Sequence, residues 1–98
     1  MSVRLVVRPQ AEAELLAARD WYETQRTGLG QKFVDDVRVA LSGVATRPLS
    51  FPTVHGEMRR AILRRFPYGV FFRTTTNEII ILGVIHGRRH PQQWRSRQ

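Results

Sequence analysis

The hydrophobic pattern of the first half of the chain predicts one strand followed by two helices. The segment SVRLVV alternates in the manner of a strand. Pro9 suits the first turn of a helix, because the N–H that proline lacks has no partner there. Two segments then place apolar side chains at helical spacing, the first at Ala11, Leu15, Ala18 and Tyr22 and the second at Phe33, Val34, Val37, Leu41 and Val44. The short turn TGLG between them predicts an antiparallel helix hairpin.

Two further predictions concern side chains of the first helix. Glu12 and Glu14 are expected in its first turn, where the helix dipole favours negative charge. Trp21 and Tyr22 are expected to be buried between the helix and a sheet, because they adjoin the apolar stripe.

The second half of the chain has the pattern of strands. After a loop with two prolines and a glycine, PLSFPTVHGE, come three β-rich runs, MRRAILRRF, YGVFFRT and EIIILGVIH. Their connections are short, which predicts an antiparallel meander. The chain is therefore predicted to be a single α+β domain over residues 1–98. It has an N-terminal strand, then the antiparallel two-helix hairpin packed on a small, mainly antiparallel sheet, in the order β-α-α-β-β-β.

The last predicted strand is apolar on both faces. Alternation divides its side chains into two sets, Ile80, Leu82 and Val84 on one face and Ile79, Ile81 and Ile85 on the other. Such a strand is typically central in a sheet and covered on both sides. The helix hairpin can cover one face, and the other needs the C-terminal tail, the far side of the first helix or a second protein. This uncovered face is a first indication of a partner.

Charge adds a second indication, because the net charge of +8 is unevenly distributed. Residues 1–36 carry five basic and six acidic side chains, whereas residues 37–98 carry eleven and two. All basic residues except Lys32 are arginine, which grips phosphate or carboxylate in a bidentate manner. An acidic partner is therefore expected, either nucleic acid or an acidic protein. Cysteine is absent, and the sequence has neither a membrane-spanning run nor a signal-peptide pattern, so we expect a cytoplasmic protein without disulfides.

The arginines of the strands and tail are candidates for binding a target or nucleic acid. Alternation along MRRAILRRF places Arg60 and Arg64 on one face of the sheet. Arginines of the neighbouring strands can join them in a basic cluster that contacts phosphates without reading sequence, or pairs with acidic side chains of a protein. Trp94 either anchors the tail on the protein's own sheet or projects as an anchor for a partner or a base. The predicted binding residues are Arg60, Arg64, Arg73, Arg88, Arg89, Trp94 and Arg95.

Catalytic chemistry has few candidates. His86 lies at the end of the last strand beside Arg88 and Arg89, where it can act as a general base or simply cap the strand through a backbone hydrogen bond. These three residues are the catalytic candidates. His55 and His90 lie in loops, and no spacing of the histidines is typical of a metal site. We therefore expect neither a metal nor a cofactor.

Five stretches of the chain together resemble the RelE/ParE superfamily of bacterial toxins from type II toxin–antitoxin modules: AEAELLAARDWYE, GLGQKFVDDV, RPLSFPTV, RRAILRRFPYGVFFR and VIHGRRHPQQWRSR. The resemblance implies a toxin that forms a hetero-oligomer with a cognate antitoxin, whose acidic amphipathic C-terminal segment wraps it. The predicted antitoxin-binding residues are Tyr68, Val70, Phe72 and Arg64, although the first three can equally belong to the core.

Two activities divide this superfamily. RelE-like members cut mRNA on the ribosome, and ParE-like members, often labelled plasmid-stabilisation proteins, inhibit DNA gyrase. Where the RelE-like nucleases have a tyrosine and a mid-strand arginine, this chain has Trp94 and Gly69. Tryptophan does not exchange a proton usefully, so a ParE-like gyrase inhibitor is predicted rather than an enzyme. The alternatives are a RelE-like endoribonuclease, with a histidine in place of the tyrosine, and a non-toxic basic module that binds nucleic acid.

Overall fold

The computed structural model describes residues 3–97, which form three α-helices, a 3-10 turn and one five-stranded sheet. The elements are β1 (Arg4–Val7), α1 (Pro9–Gln25), α2 (Leu29–Thr46), a 3-10 turn (Pro48–Ser50), β2 (Thr53–His55), β3 (Met58–Ile62), β4 (Tyr68–Thr74), β5 (Glu78–His86) and α3 (Gln92–Arg95). The five strands lie in the order β1-β5-β4-β3-β2. β1 is parallel to β5, and the remaining neighbours are antiparallel. The predicted α+β architecture is confirmed, with β2 as an additional edge strand where the sequence predicted only a loop.

The helix hairpin is closed by contacts around its turn. Gly28 adopts a left-handed φ of 88° before α2 begins, a conformation that costs glycine little. The carboxylate of Glu23 on α1 accepts the N–H groups of Gly28 and Gly30, at 2.9 and 3.0 Å, and so satisfies donors at the start of α2. The two helices approach closely here, because a Cβ on Gly30 would lie 2.7 Å from the Arg19 carbonyl oxygen.

Two predictions about local placement are wrong. Glu14 lies beyond the first turn of α1, which contains Glu12 but not Glu14. β3 ends at Ile62, so Arg64 does not share a strand face with Arg60. The chain turns there because the Leu63 N–H pairs with the Tyr68 carbonyl, at 2.9 Å, and the Arg65 N–H donates to the buried Asp36 carboxylate, also at 2.9 Å.

The sheet separates two apolar clusters. The helix-side cluster consists of Ala11, Ala18, Phe33, Val37, Val44, Ala61, Leu63, Val70, Phe72, Ile79, Ile81 and Val84. The opposite cluster consists of Met58, Phe71, Ile80, Leu82, Ile85 and Trp94. Simple alternation put Val84 and Ile85 in the wrong sets. The register between β4 and β5 shifts at Phe71/Phe72, which exchanges the faces of the residues that follow Leu82.

The protein's own tail covers the opposite cluster. Trp94 on α3 is 7% exposed, and its ring centroid lies 4.8 Å from that of Phe71. The sequence left three candidates to cover this face of the sheet, and the structure shows that the C-terminal tail does so. A fully open apolar face, the first indication of a partner, is therefore not present. None of the described helices is long and apolar enough to cross a membrane.

Candidate functional site

One end of the sheet, where β4 begins and β5 finishes, carries a groove on each side. Tyr68 and His86 are register partners there, and together with Arg88 they line both grooves. The helix-side groove, of about 670 Å³, lies between this wall and α1, and its lining includes Trp21, Tyr22 and Arg89. The tail-side groove, of about 280 Å³, lies on the other face, and its lining includes Arg60, Ile62, Gly69, Phe71 and Trp94.

Trp21 stands at the helix-side groove and is 56% exposed, so the prediction that it is buried is wrong. The apolar stripe of α1 continues through Tyr22, and successive side chains on a helix point about 100° apart. Trp21 therefore lies beside the stripe, with its ring edge-on to Tyr22 at a centroid distance of 5.0 Å. Tyr22 itself packs against the core, with its ring 5.3 Å from Phe33 and 4.7 Å from Phe66.

The two tyrosines near this groove are held in their neutral form. Burial raises the pKa of Tyr68 above its ordinary value of 10.0, and the positive charge of Arg89 partly opposes that rise. Burial, followed by the neighbouring Tyr68, raises the pKa of Tyr22. Both phenols are therefore hydrogen-bonding groups at neutral pH, and neither is a phenolate base.

His86 has the geometry of a strand cap. Its Nδ1 accepts the N–H of Arg88 at 2.9 Å, and its carbonyl accepts the N–H of Arg89 at 3.0 Å. Since Nδ1 is the acceptor, the proton of the neutral ring resides on Nε2. This leaves no ring nitrogen free to take a proton from a substrate. His90 is held in the same way, with Nδ1 accepting the Gln92 N–H at 3.2 Å.

Arg60 and Gly69 together shape the tail-side groove. The aliphatic stem of Arg60 lies along β4 directly over Gly69, where an added Cβ would meet its Cγ and Cδ at 3.1 Å. The side chain of Arg60 thus occupies the space that a residue with a side chain would fill at position 69. Its buried Nε has no hydrogen-bond partner within the described residues. Nothing in the sequence indicated that the Arg60 side chain covers Gly69, because the two residues belong to different strands.

The structure distributes the other predicted binding residues over several places. Arg73 lies on the same sheet face as Arg60, and its Nε is likewise buried without a partner in residues 3–97. Arg88 and Arg89 are exposed in the turn after β5, Arg95 is exposed on α3, and Arg64 follows the end of β3. Among the described residues, the ion pairs are Arg4–Glu78, Arg19–Asp20 and Arg97–Glu14, so none of these predicted arginines is neutralised by an acid.

Three of the predicted contact residues, Val70, Phe72 and Trp94, belong to the core instead. Val70 and Phe72 are fully buried beneath the helix hairpin, which makes their assignment to an antitoxin groove wrong, and Tyr68 is half-buried at the groove wall. Trp94 is covered by Phe71, and the guanidinium carbon of Arg95 lies 5.8 Å from the Trp94 ring centroid. Trp94 therefore anchors the tail to the sheet and does not project toward a partner. In residues 3–97 no group of three or more metal-ligating side chains is placed to hold a metal ion.

Comparison with known proteins identifies the family. The family described as "ParE toxin of type II toxin-antitoxin system, parDE" matches residues 5–91. The chain belongs to the ParE toxin family. Its fold is similar to a solved structure titled "Chromosomal ParDE TA system from P. aeruginosa", with a TM-score of 0.77 and 24% sequence identity. That match covers 86% of this chain and 95% of the other, and at this identity it shows the fold alone. No curated protein matches the sequence.

Membership of the ParE family makes the chain the toxin component of a type II toxin–antitoxin system, with an antitoxin as its implied partner. Both grooves of this ParE-family chain combine unneutralised arginines with apolar side chains.

Proposed function

We propose that this ParE-family toxin inhibits DNA gyrase by binding it in the cytoplasm, and that a cognate antitoxin neutralises it. The observation that carries the proposal is the turn after β5, which presents Arg88 and Arg89 without acidic partners in the described chain while His86 is committed to capping the strand. This arrangement supplies positive charge for binding but no free general base, because His86 Nδ1 already accepts the Arg88 N–H. Inhibition by binding needs only the first of these.

The same geometry argues against a RelE-like nuclease. Cleavage of RNA without a metal needs a base for the 2′-hydroxyl and an acid for the leaving oxygen. Trp94 is buried, His86 Nδ1 already accepts a backbone N–H, and the Tyr68 phenol is neutral. The stem of Arg60 occupies the space above Gly69, so a cation that can stabilise phosphate charge lies near this site, but no free base accompanies it.

The antitoxin proposal rests on the tail-side groove. Its lining combines the cations of Arg60 and Arg88 with apolar side chains, of which Ile62 is 68% exposed. An acidic amphipathic segment complements such a surface, because its carboxylates pair with the arginines while an apolar residue enters the groove. We propose that Arg60, Ile62, Tyr68 and Arg64 contact this segment and that the two chains form a hetero-oligomer.

A supercoiling assay with purified gyrase tests the first part of the proposal. Arg88→Ala combined with Arg89→Ala is expected to weaken inhibition at least tenfold, since charge-assisted contacts contribute about 1.5–3 kcal/mol each. The control is Arg38→Ala, which removes an exposed arginine of α2 that lines neither groove. Equal inhibition by all variants would contradict the assignment of this turn to the target.

A second pair of assays separates binding from catalysis. His86→Asn retains an oxygen that can accept the Arg88 N–H, so it preserves the strand cap but removes the imidazole. We expect gyrase inhibition to persist in this variant. Cleavage of ribosome-bound mRNA by the wild type, lost in His86→Asn and accompanied by no effect on gyrase, would replace the proposal with the RelE-like alternative. Expression without any growth arrest would favour the non-toxic nucleic-acid-binding module.

A further inference from the structure

We propose that the helix-side groove binds a short stretch of single-stranded nucleic acid, with a base stacked on Trp21 and phosphates held by Arg88 and Arg89. This binding activity goes beyond the proposed inhibition of gyrase. It uses the face of the sheet end opposite to the groove proposed for the antitoxin, although Arg88 lines both grooves.

Trp21 provides the stacking surface. It is a large aromatic side chain, more than half exposed, on a regular helix, and its ring lies edge-on to Tyr22. Proteins that bind single strands use exposed rings of this kind because every base offers a flat π face. Double-stranded nucleic acid offers no free base face, so the predicted ligand is unpaired.

The polar groups of the groove are mainly hydrogen-bond donors. Arg88 and Arg89 form no ion pair within the described chain, and the remaining polar group of the His86 ring is its Nε2–H. Glu14 also lines the groove, but its Oε1 already accepts Arg97 at 2.9 Å and the Val84 N–H at 3.1 Å. A donor-rich, cationic groove fits a ligand rich in acceptors, and a phosphodiester chain has this property.

The backbone around the groove argues against an added peptide strand. The Val84 N–H is bound by Glu14, the Gly87 N–H by the Pro67 carbonyl at 2.7 Å, and the Arg88 N–H by His86. A β-strand from a partner therefore finds no free backbone donor at these positions. A ligand of this groove is therefore recognised by side-chain rings and guanidinium groups. A nucleotide suits both, because its base stacks on a ring and its phosphate binds a guanidinium.

The volume of the helix-side groove, about 670 Å³, lies within the usual range for pockets that bind small ligands such as a nucleotide.

Intrinsic fluorescence offers a direct test, because the chain has two tryptophans and one of them is buried. Trp94→Phe leaves Trp21 as the only tryptophan. Titration with oligo-dT and oligo-rU of about eight nucleotides should quench its emission in a saturable manner. With two phosphate contacts, the affinity should fall about sevenfold between about 50 and 200 mM salt. Equal binding of both oligomers would indicate recognition by stacking and phosphate alone, and preference for oligo-rU a contact with the 2′-hydroxyl.

Anisotropy of a labelled oligonucleotide provides the same measurement on the wild-type chain, in case Trp94→Phe fails to fold. Here Trp21→Ala should weaken binding about 5- to 150-fold, while Trp21→Phe retains most of it. Arg88→Ala with Arg89→Ala should remove most of the salt dependence, and Arg38→Ala should leave it unchanged.

The proposal is overturned if neither oligonucleotide quenches Trp21 at about 50 mM salt, or if Trp21→Ala binds as well as wild type. Quenching by an acidic amphipathic peptide and not by oligonucleotides would likewise overturn it and identify a protein segment as the occupant. These outcomes are independent of the gyrase assay, so failure of one proposal is distinguishable from failure of the other.

Discussion

Glu14 and Arg97, 83 positions apart in the sequence, form an ion pair in which 2.9 Å separates Oε1 from Nη1. The same oxygen accepts the N–H of Val84 at 3.1 Å. β1 pairs with β5 only as far as Ile81, so the later part of β5 has an edge that faces α1. One carboxylate therefore joins the first long helix, the unpaired edge of the last strand and the C-terminal tail.

Removal of this carboxylate should destabilise the protein. Glu14→Ala leaves a partly buried N–H and a partly buried guanidinium without their acceptor, at a cost of about 1–3 kcal/mol in the free energy of unfolding. Urea denaturation measures the difference. Glu12→Ala is the matched control, because Glu12 is exposed in the first turn and contributes mainly to the helix dipole, about 0.3–1 kcal/mol. Equal losses in the two variants would contradict a joining role for Glu14.

Two glycines of α2 should respond in opposite ways to the same substitution. Gly30→Ala places a Cβ 2.7 Å from the Arg19 carbonyl oxygen and forces the helices apart, which should cost about 1–3 kcal/mol. At Gly43 the nearest atom lies at an ordinary 3.5 Å, so Gly43→Ala should gain up to about 1 kcal/mol from helix propensity. Thermal melting of both variants compares them directly. A stabilised Gly30→Ala would mean that the hairpin is not closely packed at its turn.

The two tryptophans should differ in their contribution to folding. Trp94→Ala uncovers the opposite cluster and should lower the free energy of unfolding by roughly 3–5 kcal/mol. Trp21→Ala removes an exposed ring and should lower it by less than about 1 kcal/mol. Denaturant titration followed by circular dichroism measures both without relying on tryptophan emission. Comparable losses would place Trp21 in the core, against its observed exposure.

Alkaline pH should weaken the fold through Tyr22 and Tyr68. Both have a pKa raised above 10.0 in the folded chain, mainly by burial, so the unfolded chain releases these protons first. Their stabilising contribution is complete below pH 10, the ordinary pKa, and is lost as the pH rises through that value toward the higher folded pKa. The urea midpoint should therefore fall between about pH 8 and pH 11, and the fall should be smaller in the double variant Tyr22→Phe, Tyr68→Phe. An unchanged slope in that variant would assign the effect to other groups.

The differences between sequence and structure have local physical causes. Helical spacing identified the stripe from Ala11 to Tyr22 correctly, yet adjacency in sequence misplaced Trp21, which lies one position round the helix. Alternation assigned the side chains from Ile79 to Leu82 to the correct faces of the sheet and failed for those after Leu82. The failure arises from the register shift between β4 and β5, which depends on the pairing of two strands and not on the pattern of one. Arg64 was misplaced because β3 ends in a turn that closes on Tyr68 and that is held by Asp36, which lies 29 positions before its partner Arg65 in the sequence.

The sequence by itself determined the α+β class, the helix hairpin, the three strands of the meander and the basic second half, since these follow from short-range spacing or from composition. The resemblance to the RelE/ParE superfamily came instead from five motifs in order along the chain. Only the tertiary structure decided that Trp94 covers the sheet, that Arg60 fills the space over Gly69, that His86 is a strand cap and that Glu14 binds the tail. These depend on side chains brought together by strand pairing and packing, and no periodicity along one segment contains that information.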